Sequence, residues 1–516
     1  MSEAVTKPGY RRGPGRRCRG WLAGALAVPC LAAPALSQDP GGATAEATAL
    51  SADLAQLRST LHGIIDDPAL ARAHVGLIVL VAESGEVLFR HNAERRFTTA
   101  STTKLLTAAV ALSRLGPNYR WTTTVLASGA TSDGVLEGDL WVRGGGDPLL
   151  RRETLETMAR SVREAGILRV SGDLIGDDRT FAGPPWGRGW MWDDLYGSFA
   201  AGVSALQLSP ARISAELRPG LALGEPATLR ILEPGTELPI RAEVLTGPPG
   251  SELSLDYLPD RRDGPVVLAG WIPLDVTRVP LGFAPPHPTQ YFLERFALAL
   301  ARAGVAVDGM PRRAETLEEP GAVAWERGFR SPPLSRAVDR MLKVSDNQVA
   351  ETLLRTLGAE GADGSDEAGL AVIRSTLSGW GIEPDAHSLA DGSGMSRYNE
   401  IAPSALARML RRVSQLPEFR VFHDALPIAS VDGTLSRRFR STAASRVVRA
   451  KTGSLSGVRA LAGFAEDGDG ETLVFALLLN GYDAPGSVAV ALEDLLVEQL
   501  ALYHGPTYPG GRIPGR

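Results

Sequence analysis

Apolar residues recur along this chain at two different spacings, which predict different elements. Residues 52–66 carry a helical pattern and follow a polar stretch at residues 38–51. Two β-branched, apolar runs come next, at residues 74–81 and 86–90, and Glu83-Ser84-Gly85 separates them. Runs of this kind on either side of a short polar turn predict a hairpin of two strands.

A helix is predicted soon after the hairpin, from Thr102 to about Leu115. Gly116-Pro117 ends it, and its apolar face is formed by Leu105, Leu106, Ala109, Val110 and Leu112. Ser101 and Lys104 lie three residues apart at the start of this helix, so they are expected to share one of its faces.

The pattern changes in the middle of the chain and changes back before its end. From about residue 120 to 287 it consists of short β-like runs with many Gly and Pro. Helical spacing returns at residues 289–303 and 335–357, and three further strands and a last helix are predicted at residues 446–452, 458–465, 472–479 and 487–502. We therefore predict one sheet domain built from both ends of the chain, residues 50–120 and 288–516, with a β-rich insertion at residues 121–287.

Residues 1–37 predict a signal peptide. Basic residues precede an apolar stretch from Trp21 to Ala35, and Ala35-Leu36-Ser37 suits cleavage by signal peptidase. Three alternatives stay open: a membrane anchor, for which the apolar stretch is short, a lipoprotein signal at Cys30, and twin-arginine export through Arg16-Arg17. No later segment is apolar for long enough to span a membrane, so a soluble mature chain is expected in a periplasm or a cell-wall zone.

Charge and cysteine content exclude several classes of protein. Without residues 1–37 the chain has 48 basic and 58 acidic residues, and such a surface is a poor match for nucleic acid. Both cysteines, Cys18 and Cys30, lie in the predicted signal peptide, which excludes cysteine catalysis and zinc-cysteine sites. The histidines are isolated and no H-E-x-x-H spacing occurs, so neither a Ser-His-Asp triad nor a metal or other cofactor is expected.

Lysine is rare in this chain, and its positions are informative. After residue 37 there are three lysines, Lys104, Lys343 and Lys451, against 45 arginines. Arginine stays protonated in proteins, whereas a desolvated lysine can lose its proton and act as a base. Two of the lysines belong to the motifs S-T-T-K and K-T-G-S, and these motifs are predicted to form an active site. For Lys343, which precedes S-D-N by two residues, a solvated helix lysine and a charge at the edge of the site both stay open.

The motifs can supply the parts that serine acyl transfer needs. Ser101 would be the nucleophile, and Lys104 would take its proton if burial lowers the lysine pKa. Ser345 would relay a proton to a leaving nitrogen, and Asn347 would hold a substrate amide.

The third motif, Lys451-Thr452-Gly453-Ser454, lies on a predicted edge strand. Lys451 and Thr452 would bind a substrate carboxylate, and the backbone N–H groups of Ser101 and Ser454 would form an oxyanion hole. Each motif alone is short enough to occur by chance. Together the three motifs match the set found in serine penicillin-recognising enzymes. They occur in the same order, with the first two on predicted helices and the third on a predicted strand.

Beyond these motifs the chain resembles the low-molecular-mass class C penicillin-binding proteins, the D-alanyl-D-alanine carboxypeptidase/endopeptidase family. The separation of 244 positions from Ser101 to Ser345 agrees with a large insertion that this family carries there. Further matches are Gly144-Gly145-Gly146-Asp147-Pro148, Asp391-Gly392-Ser393-Gly394, Ser396-Arg397, Leu426-Pro427 and Asp432-Gly433-Thr434-Leu435. The resemblance covers about residues 50–500. It implies an α+β, β-lactamase/transpeptidase-like fold with an antiparallel five-stranded sheet flanked by helices.

The resemblance also implies a reaction and its partners. Ser101 would cleave peptidoglycan stem peptides through an acyl-enzyme, and β-lactam antibiotics such as penicillin would acylate the same serine. Asp147, from the insertion, would face the cleft and pair with the free amine of a diaminopimelate side chain, with Arg397 nearby; a plain turn is the alternative for G-G-G-D-P. A β-lactamase or esterase on the same fold, a non-catalytic wall-binding scaffold, and the balance between carboxypeptidase and endopeptidase activity stay open.

Overall fold

A computed structural model describes residues 40–233, 238–259 and 266–505. The predicted signal peptide and both cysteines lie outside the described residues. Within the described residues, no helix combines the length and the apolar composition needed to cross a membrane.

The helices and strands are numbered along the chain. The α-helices are α1 (Pro40–Ile65), α2 (Thr103–Leu115), α3 (Arg152–Glu164), α4 (Pro288–Arg302), α5 (Leu334–Lys343), α6 (Asn347–Ala359), α7 (Asp366–Gly379), α8 (Pro403–Val413), α9 (Phe419–Ala425) and α10 (Gly486–Leu502). The strands are β1 (His74–Val81), β2 (Val87–His91), β3 (Phe97–Thr98), β4 (Thr122–Ser132), β5 (Val135–Arg143), β6 (Arg169–Val170), β7 (Leu174–Asp177), β8 (Ile213–Arg218), β9 (Thr228–Ile231), β10 (Ile240–Gly247), β11 (Ser254–Pro259), β12 (Val266–Pro273), β13 (Val279–Phe283), β14 (Ala306–Val307), β15 (Pro311–Arg313), β16 (Val323–Arg330), β17 (His387–Ser388), β18 (Glu400–Ile401), β19 (Val448–Leu455), β20 (Val458–Glu466) and β21 (Thr472–Asn480).

Strands from both ends of the described chain form one antiparallel sheet, in the order β19-β20-β21-β1-β2. Strand β1 pairs with β21 over its whole length, from His74 opposite Asn480 to Val81 opposite Leu473. At the end of β21, the Asn480 side chain accepts a hydrogen bond from the Thr98 N–H (2.8 Å) and donates one to the Thr98 carbonyl (3.1 Å). The predicted five-stranded antiparallel sheet is confirmed, and the K-T-G-S motif lies on its edge strand β19.

Helices cover both faces of this sheet, which explains why its strands are apolar throughout. Ile78 and Leu80 of β1 belong to a core shared with helices α2, α5, α6 and α8. Leu77 and Val79, which point to the other face, belong to a core shared with α1 and α10. Because burying a leucine or valine side chain contributes about 1.5–3 kcal/mol, both faces stabilise the sheet that carries the third motif.

The middle of the chain builds its own sheets around a second core, as the β-like pattern predicts. This part extends beyond residue 287. Strand β16 pairs with β4, and helix α4 packs Phe292 and Phe296 into the second core. The predicted end of the insertion at residue 287 therefore falls too early, because strand pairing carries the insertion to Arg330.

Two other boundaries differ from those that the sequence predicts. Helix α1 begins at Pro40, before the predicted start at residue 52, and takes in most of the polar stretch at residues 38–51. The single helix expected over residues 335–357 is two helices, because the chain breaks between Lys343 and Asn347. Ser345 has a φ of 59° there, and the Asp346 carboxylate starts α6 by accepting from the Val349 N–H. This break places Ser345 at the end of one helix and Asn347 at the start of the next.

Candidate active site

A short 3₁₀ turn, Ala100–Thr102, presents Ser101 at the start of helix α2. Ala100 has a φ of 45°, a left-handed conformation that is unfavourable for a residue with a Cβ. Two glycines pack against it: a Cβ on Gly394 would lie 1.8 Å from the Ala100 carbonyl oxygen, and one on Gly453 would lie 3.1 Å from the Ala100 Cβ. Close packing from both sides holds the turn, and with it the direction of Ser101.

Gly394→Ala is therefore expected to lower the free energy of unfolding by about 3–5 kcal/mol, since its Cβ would overlap a backbone oxygen and its φ of 84° is strained for alanine. Urea denaturation measures the change. Gly379→Ala is the matched control, because that exposed glycine at the end of α7 has no atom within 4 Å of its Cβ position. It should be neutral or slightly stabilising. Equal stability of the two variants would contradict the packing argument.

Lys104 is fully buried, and three atoms surround its ammonium nitrogen. The nitrogen Nζ lies 2.9 Å from Ser101 Oγ, 2.5 Å from Asn347 Oδ1 and 2.6 Å from the Ser393 carbonyl oxygen. The carbonyl and the amide oxygen can only accept, whereas the serine hydroxyl can donate or accept. A protonated amine can donate to all three atoms, whereas a neutral amine can donate to Asn347 and Ser393 and accept from the Ser101 hydroxyl.

Burial is also what lowers the pKa of Lys104, to about 8, despite nearby acids that act in the opposite direction. Those acids are Asp391, Glu351 and Asp346. With a pKa of about 8, roughly a tenth of the amine is neutral at pH 7, and this fraction can act as a general base for the Ser101 hydroxyl.

Ser345 and Lys451 form a second hydroxyl–lysine pair on the other side of the site. Lys451 Nζ lies 2.9 Å from Ser345 Oγ and 2.7 Å from the carbonyl oxygen of Thr452. Lys451 is fully buried, and its pKa is lowered well below the usual value by burial first and by the charge of Lys104 second. The pair can pass a proton to a group bound between Ser345 and Ser101.

Asn347 joins the motifs to the insertion. Its Oδ1 accepts from Lys104, and its Nδ2 donates to the Phe199 carbonyl at 2.8 Å. In a second hydrogen bond with the insertion, the Trp190 indole N–H donates to Asp391 Oδ2 at 3.0 Å. The insertion therefore contacts Asn347 through a backbone carbonyl and Asp391 through an indole side chain.

Ser101 opens into a cavity of about 270 Å³. Asn347, Arg397 and Ser454 line it as well, so the structure brings these predicted residues together. Arg397 donates to the Ser456 carbonyl at 2.8 Å, which keeps its guanidinium beside the third motif. The cavity also contains two acids from the insertion that were not predicted, Asp193 and Asp194. Burial and the neighbouring Asp193 raise the pKa of Asp194, and Arg397 lowers it.

Asp147 does not line this cavity, so the prediction that it faces the cleft is wrong. Its carboxylate is buried, accepts from the Leu149 N–H at 2.8 Å and lines a separate cavity. Burial raises its pKa to about 6. The hydrogen bond two residues along the chain is typical of a turn, which is the alternative that the Gly-rich sequence left open.

Two buried acids behind Lys104 hold the loop that supplies its carbonyl ligand. Glu351, on α6, accepts from the backbone N–H groups of Gly392 (3.1 Å) and Ser393 (2.8 Å). Asp391 accepts from Gly394 N–H at 2.7 Å. Burial raises the pKa of both acids. The D-G-S-G sequence signals this loop but not its role, and Glu351 has no signal, because an acid in a helix usually faces solvent.

Lys343 is not a solvated lysine, and it does not line the Ser101 cavity. Its ammonium forms an ion pair with Asp432 (2.7 Å) and donates to the Leu426 carbonyl (2.6 Å), and little of its side chain is exposed. It thereby fixes the segment that carries Thr434, whose hydroxyl lies 2.8 Å from that of Thr452. The L-P and D-G-T-L sequences thus have a positioning role beside the third motif.

Comparisons with known proteins find relatives over nearly the whole chain. The D-Ala-D-Ala carboxypeptidase 3 (S13) family matches residues 57–499. A D-alanyl-D-alanine carboxypeptidase of Actinomadura sp. (strain R39) is 33% identical over 526 residues, which cover 97% of this chain and 94% of that protein. The crystal structure of penicillin binding protein 4 (dacB) from Haemophilus influenzae has a TM-score of 0.77 at 27% identity and covers 87% of this chain and 99% of that one. The same protein complexed with a novel β-lactam has a TM-score of 0.71 at 26% identity, with 88% and 99% covered.

Proposed function

The chain belongs to the D-Ala-D-Ala carboxypeptidase 3 (S13) family, and from that premise we propose that it is a serine D-alanyl-D-alanine carboxypeptidase acting on peptidoglycan stem peptides through an acyl-enzyme. The observation that supports this most directly is the contact between the buried Lys104 amine and the Ser101 hydroxyl, 2.9 Å. A buried lysine with a lowered pKa beside a serine is a nucleophile–base pair that needs no histidine.

The reaction begins when Ser101 Oγ bonds to the carbonyl carbon of the penultimate D-alanine. The serine proton passes to Lys104 Nζ, and the developing oxyanion is bound by the N–H groups of Ser101 and Ser454, which line one cavity. The amide C–N bond then breaks, and the proton held by Lys104 passes through Ser345 to the leaving amine, which leaves Lys104 neutral again. Water attacks the ester carbonyl, Ser101 regains its proton, and the shortened peptide leaves as a carboxylic acid.

Substrate recognition is assigned to the two ends of the site. The hydroxyls of Thr452 and Thr434, together with Lys451, would bind the carboxylate of the leaving D-alanine. In the Ser101 cavity, Asp193 and Asp194 take the part that was predicted for Asp147 and would bind a free amine on the third stem residue. Arg397 would bind that residue's carboxylate. The substrate lies outside the cytoplasm, so we also propose that the chain is exported, to a periplasm or cell-wall zone, by its N-terminal signal pattern.

Incubation with benzylpenicillin tests the proposal. Intact-mass spectrometry should show one penicilloyl group per chain, peptide mapping should place it on Ser101, and the enzyme should release D-alanine from a D-Ala-D-Ala pentapeptide. No adduct with intact drug, together with binding to wall fragments, would indicate a non-catalytic scaffold instead. No adduct with hydrolysed drug would indicate a β-lactamase.

The rate of acylation should depend on pH through Lys104. The neutral amine is the active form, and its pKa is about 8, so the second-order rate constant with benzylpenicillin should rise about tenfold per pH unit below pH 8 and level off above it. Stopped-flow or gel-based acylation between pH 5.5 and pH 9.5 measures this profile, and circular dichroism checks that the fold persists over the range. A rate that falls as pH rises through 8 would contradict a neutral Lys104 as the base.

A further inference from the structure

Two aromatic side chains are exposed at the edge of the catalytic cavity, and the proposed reaction uses neither of them. Trp192 lies between Met191 and Asp193, which line the cavity, and it is 54% exposed. Tyr398 follows Arg397, another lining residue, and it is 61% exposed. Large apolar rings are informative when they lie together on a surface beside a ligand site. We call Trp192 and Tyr398 the aromatic rim.

The backbone that carries Trp192 is fixed on both sides of the residue. The Asp194 N–H donates to the Met191 carbonyl at 3.1 Å and closes a turn in which Trp192 is a central residue. On the other side, the indole of Trp190 donates to the buried Asp391 at 3.0 Å. The exposed Trp192 ring therefore belongs to an anchored turn and has a defined place beside the cavity.

Tyr398 packs against the same loop. A Cβ on Gly189 would lie 2.5 Å from a carbon of the Tyr398 ring, so the ring rests on the loop backbone. The Arg188 guanidinium lies 6.0 Å from the centroid of that ring, within the range of a cation–π contact. The Tyr398 N–H donates to Ser396 Oγ at 3.3 Å. The loop that carries Trp192 thus also supports Tyr398, and the two rings form one surface.

The order of groups in a stem peptide indicates what this surface meets. In the proposed function, Asp194 and Arg397 hold the third stem residue. Their cavity, of about 270 Å³, is smaller than ordinary ligand clefts of about 300–1,000 Å³, so the start of the stem lies outside it. Two residues, each spanning about 3.5 Å, separate the third residue from the amino sugar that carries the stem. That sugar therefore lies about 7 Å beyond the third residue, on the side of the rim.

The chemistry of the rim suits a sugar. A pyranose ring has C–H groups on its faces, which pack on a flat aromatic ring, and hydroxyl and acetamido groups at its edge, which form hydrogen bonds. Tryptophan and tyrosine combine an apolar face with a polar tip for such a ligand. The exposed side chains of Arg188 and Asp193 add a donor and an acceptor beside the two rings.

We propose that the aromatic rim binds the N-acetylated amino sugar to which the stem peptide is attached, so that the enzyme favours stems on a glycan over free stem peptides. This inference rests on the proposed function and deepens it. No bond of the sugar is formed or broken. Contact with this remote part of the substrate supplies binding energy that can be used at the scissile amide.

Two substrates test the rim: a disaccharide pentapeptide, and the same pentapeptide with an acetyl group in place of the sugars. Wild-type kcat/KM for D-alanine release should be about tenfold higher or more on the disaccharide substrate. The double variant Trp192→Ala with Tyr398→Ala should lose about tenfold on that substrate, since each lost aromatic anchor commonly costs about fivefold in binding. On the acetylated pentapeptide, and for penicilloylation of Ser101, it should stay within about twofold.

The matched control is Trp271→Ala, which removes an exposed tryptophan of strand β12 that does not line the cavity. It should behave as wild type on both substrates. Tyr398→Phe keeps the aromatic ring and should keep most of the preference for the disaccharide substrate.

A binding measurement separates sugar recognition from catalysis. The probe is the peptide-free disaccharide of N-acetylglucosamine and N-acetylmuramic acid, titrated against the protein and followed by tryptophan fluorescence and saturation-transfer NMR. The wild type should bind it, and the double variant should bind it at least about fivefold more weakly. Prior acylation with benzylpenicillin should leave this binding in place, because the rim lies outside the cavity that the drug occupies.

The outcomes separate this inference from the proposed function. Equal wild-type kcat/KM on the two substrates would overturn the rim proposal alone, and so would a double variant that keeps the wild-type preference. Equal losses on both substrates would show that the rings support the cavity and would also overturn it. A wild-type dimer in gel filtration that Trp192→Ala converts to a monomer would assign the rings to a contact between copies instead. A wild type that penicillin does not acylate would remove the proposed function, and disaccharide binding would then decide the rim by itself.

Discussion

Ser101→Ala is expected to abolish penicilloylation and to lower kcat/KM for D-alanine release by about 10⁴–10⁶-fold, because removing a serine nucleophile leaves only binding and oxyanion stabilisation. The Ser101 side chain is partly exposed in its cavity and its hydroxyl contacts Lys104, so an alanine leaves the surrounding packing intact. Intact-mass spectrometry with benzylpenicillin and a D-alanine release assay measure the two effects.

The control for this variant is Ser456→Ala, a serine that lines the same cavity and for which no role in the chemistry is proposed. It should still form the adduct. An adduct of one penicilloyl group on Ser101→Ala would show that another residue is the nucleophile, and the assignment of the S-T-T-K motif would then be wrong.

Lys104→Met is expected to lower the rate of acylation by about 10²–10⁴-fold, the range over which general bases act. Methionine fills a similar buried volume without an amine, so Ser101 loses the group that accepts its proton. It also leaves Asn347 Oδ1 and the Ser393 carbonyl without their donor, which should cost about 1–3 kcal/mol of stability. The acylation rate and a urea denaturation curve measure these two effects separately.

Lys104→Arg distinguishes a base from a positive charge. Arginine keeps the charge but does not lose its proton in a protein, so this variant should be as slow as Lys104→Met. The pH profile of any residual acylation by Lys104→Met should also lack the inflection near pH 8. An arginine variant with near wild-type acylation would show that Lys104 acts through its charge, and the pH profile would then need another titrating group.

The sequence was sufficient for the sheet and for the parts of the site that are fixed by short motifs. Runs such as residues 74–81 have one interpretation, because a β-branched apolar stretch of that length makes a buried strand. The scarcity of lysine against arginine identified Lys104 and Lys451 as residues whose chemistry arginine cannot replace. The structure places both amines against serine hydroxyls.

Long-range contacts account for what the sequence did not reveal. Asp147 belongs to a sequence match, but its side chain turns back to its own backbone, and the acids in the cavity are Asp193 and Asp194 from a loop without a motif. The sequence did not reveal that the helix is interrupted at Ser345, because the residues on both sides of it favour helices. Glu351 shows its role only when its partners, more than 40 residues away, fold against it.

The pairing of β1 with β21 has a consequence for the order in which the enzyme matures. Thr98 lies three residues before Ser101, and its backbone is held by Asn480, 382 positions later in the chain. Contacts of such separation form late, because a long loop must close first. A chain that ends before β19 contains Ser101 and Lys104 but lacks Asn480. It therefore lacks the hydrogen bonds that hold the backbone next to the nucleophile. We therefore expect activity only from a chain that includes β21, because Asn480 at its end holds the backbone of Thr98, close to the nucleophile.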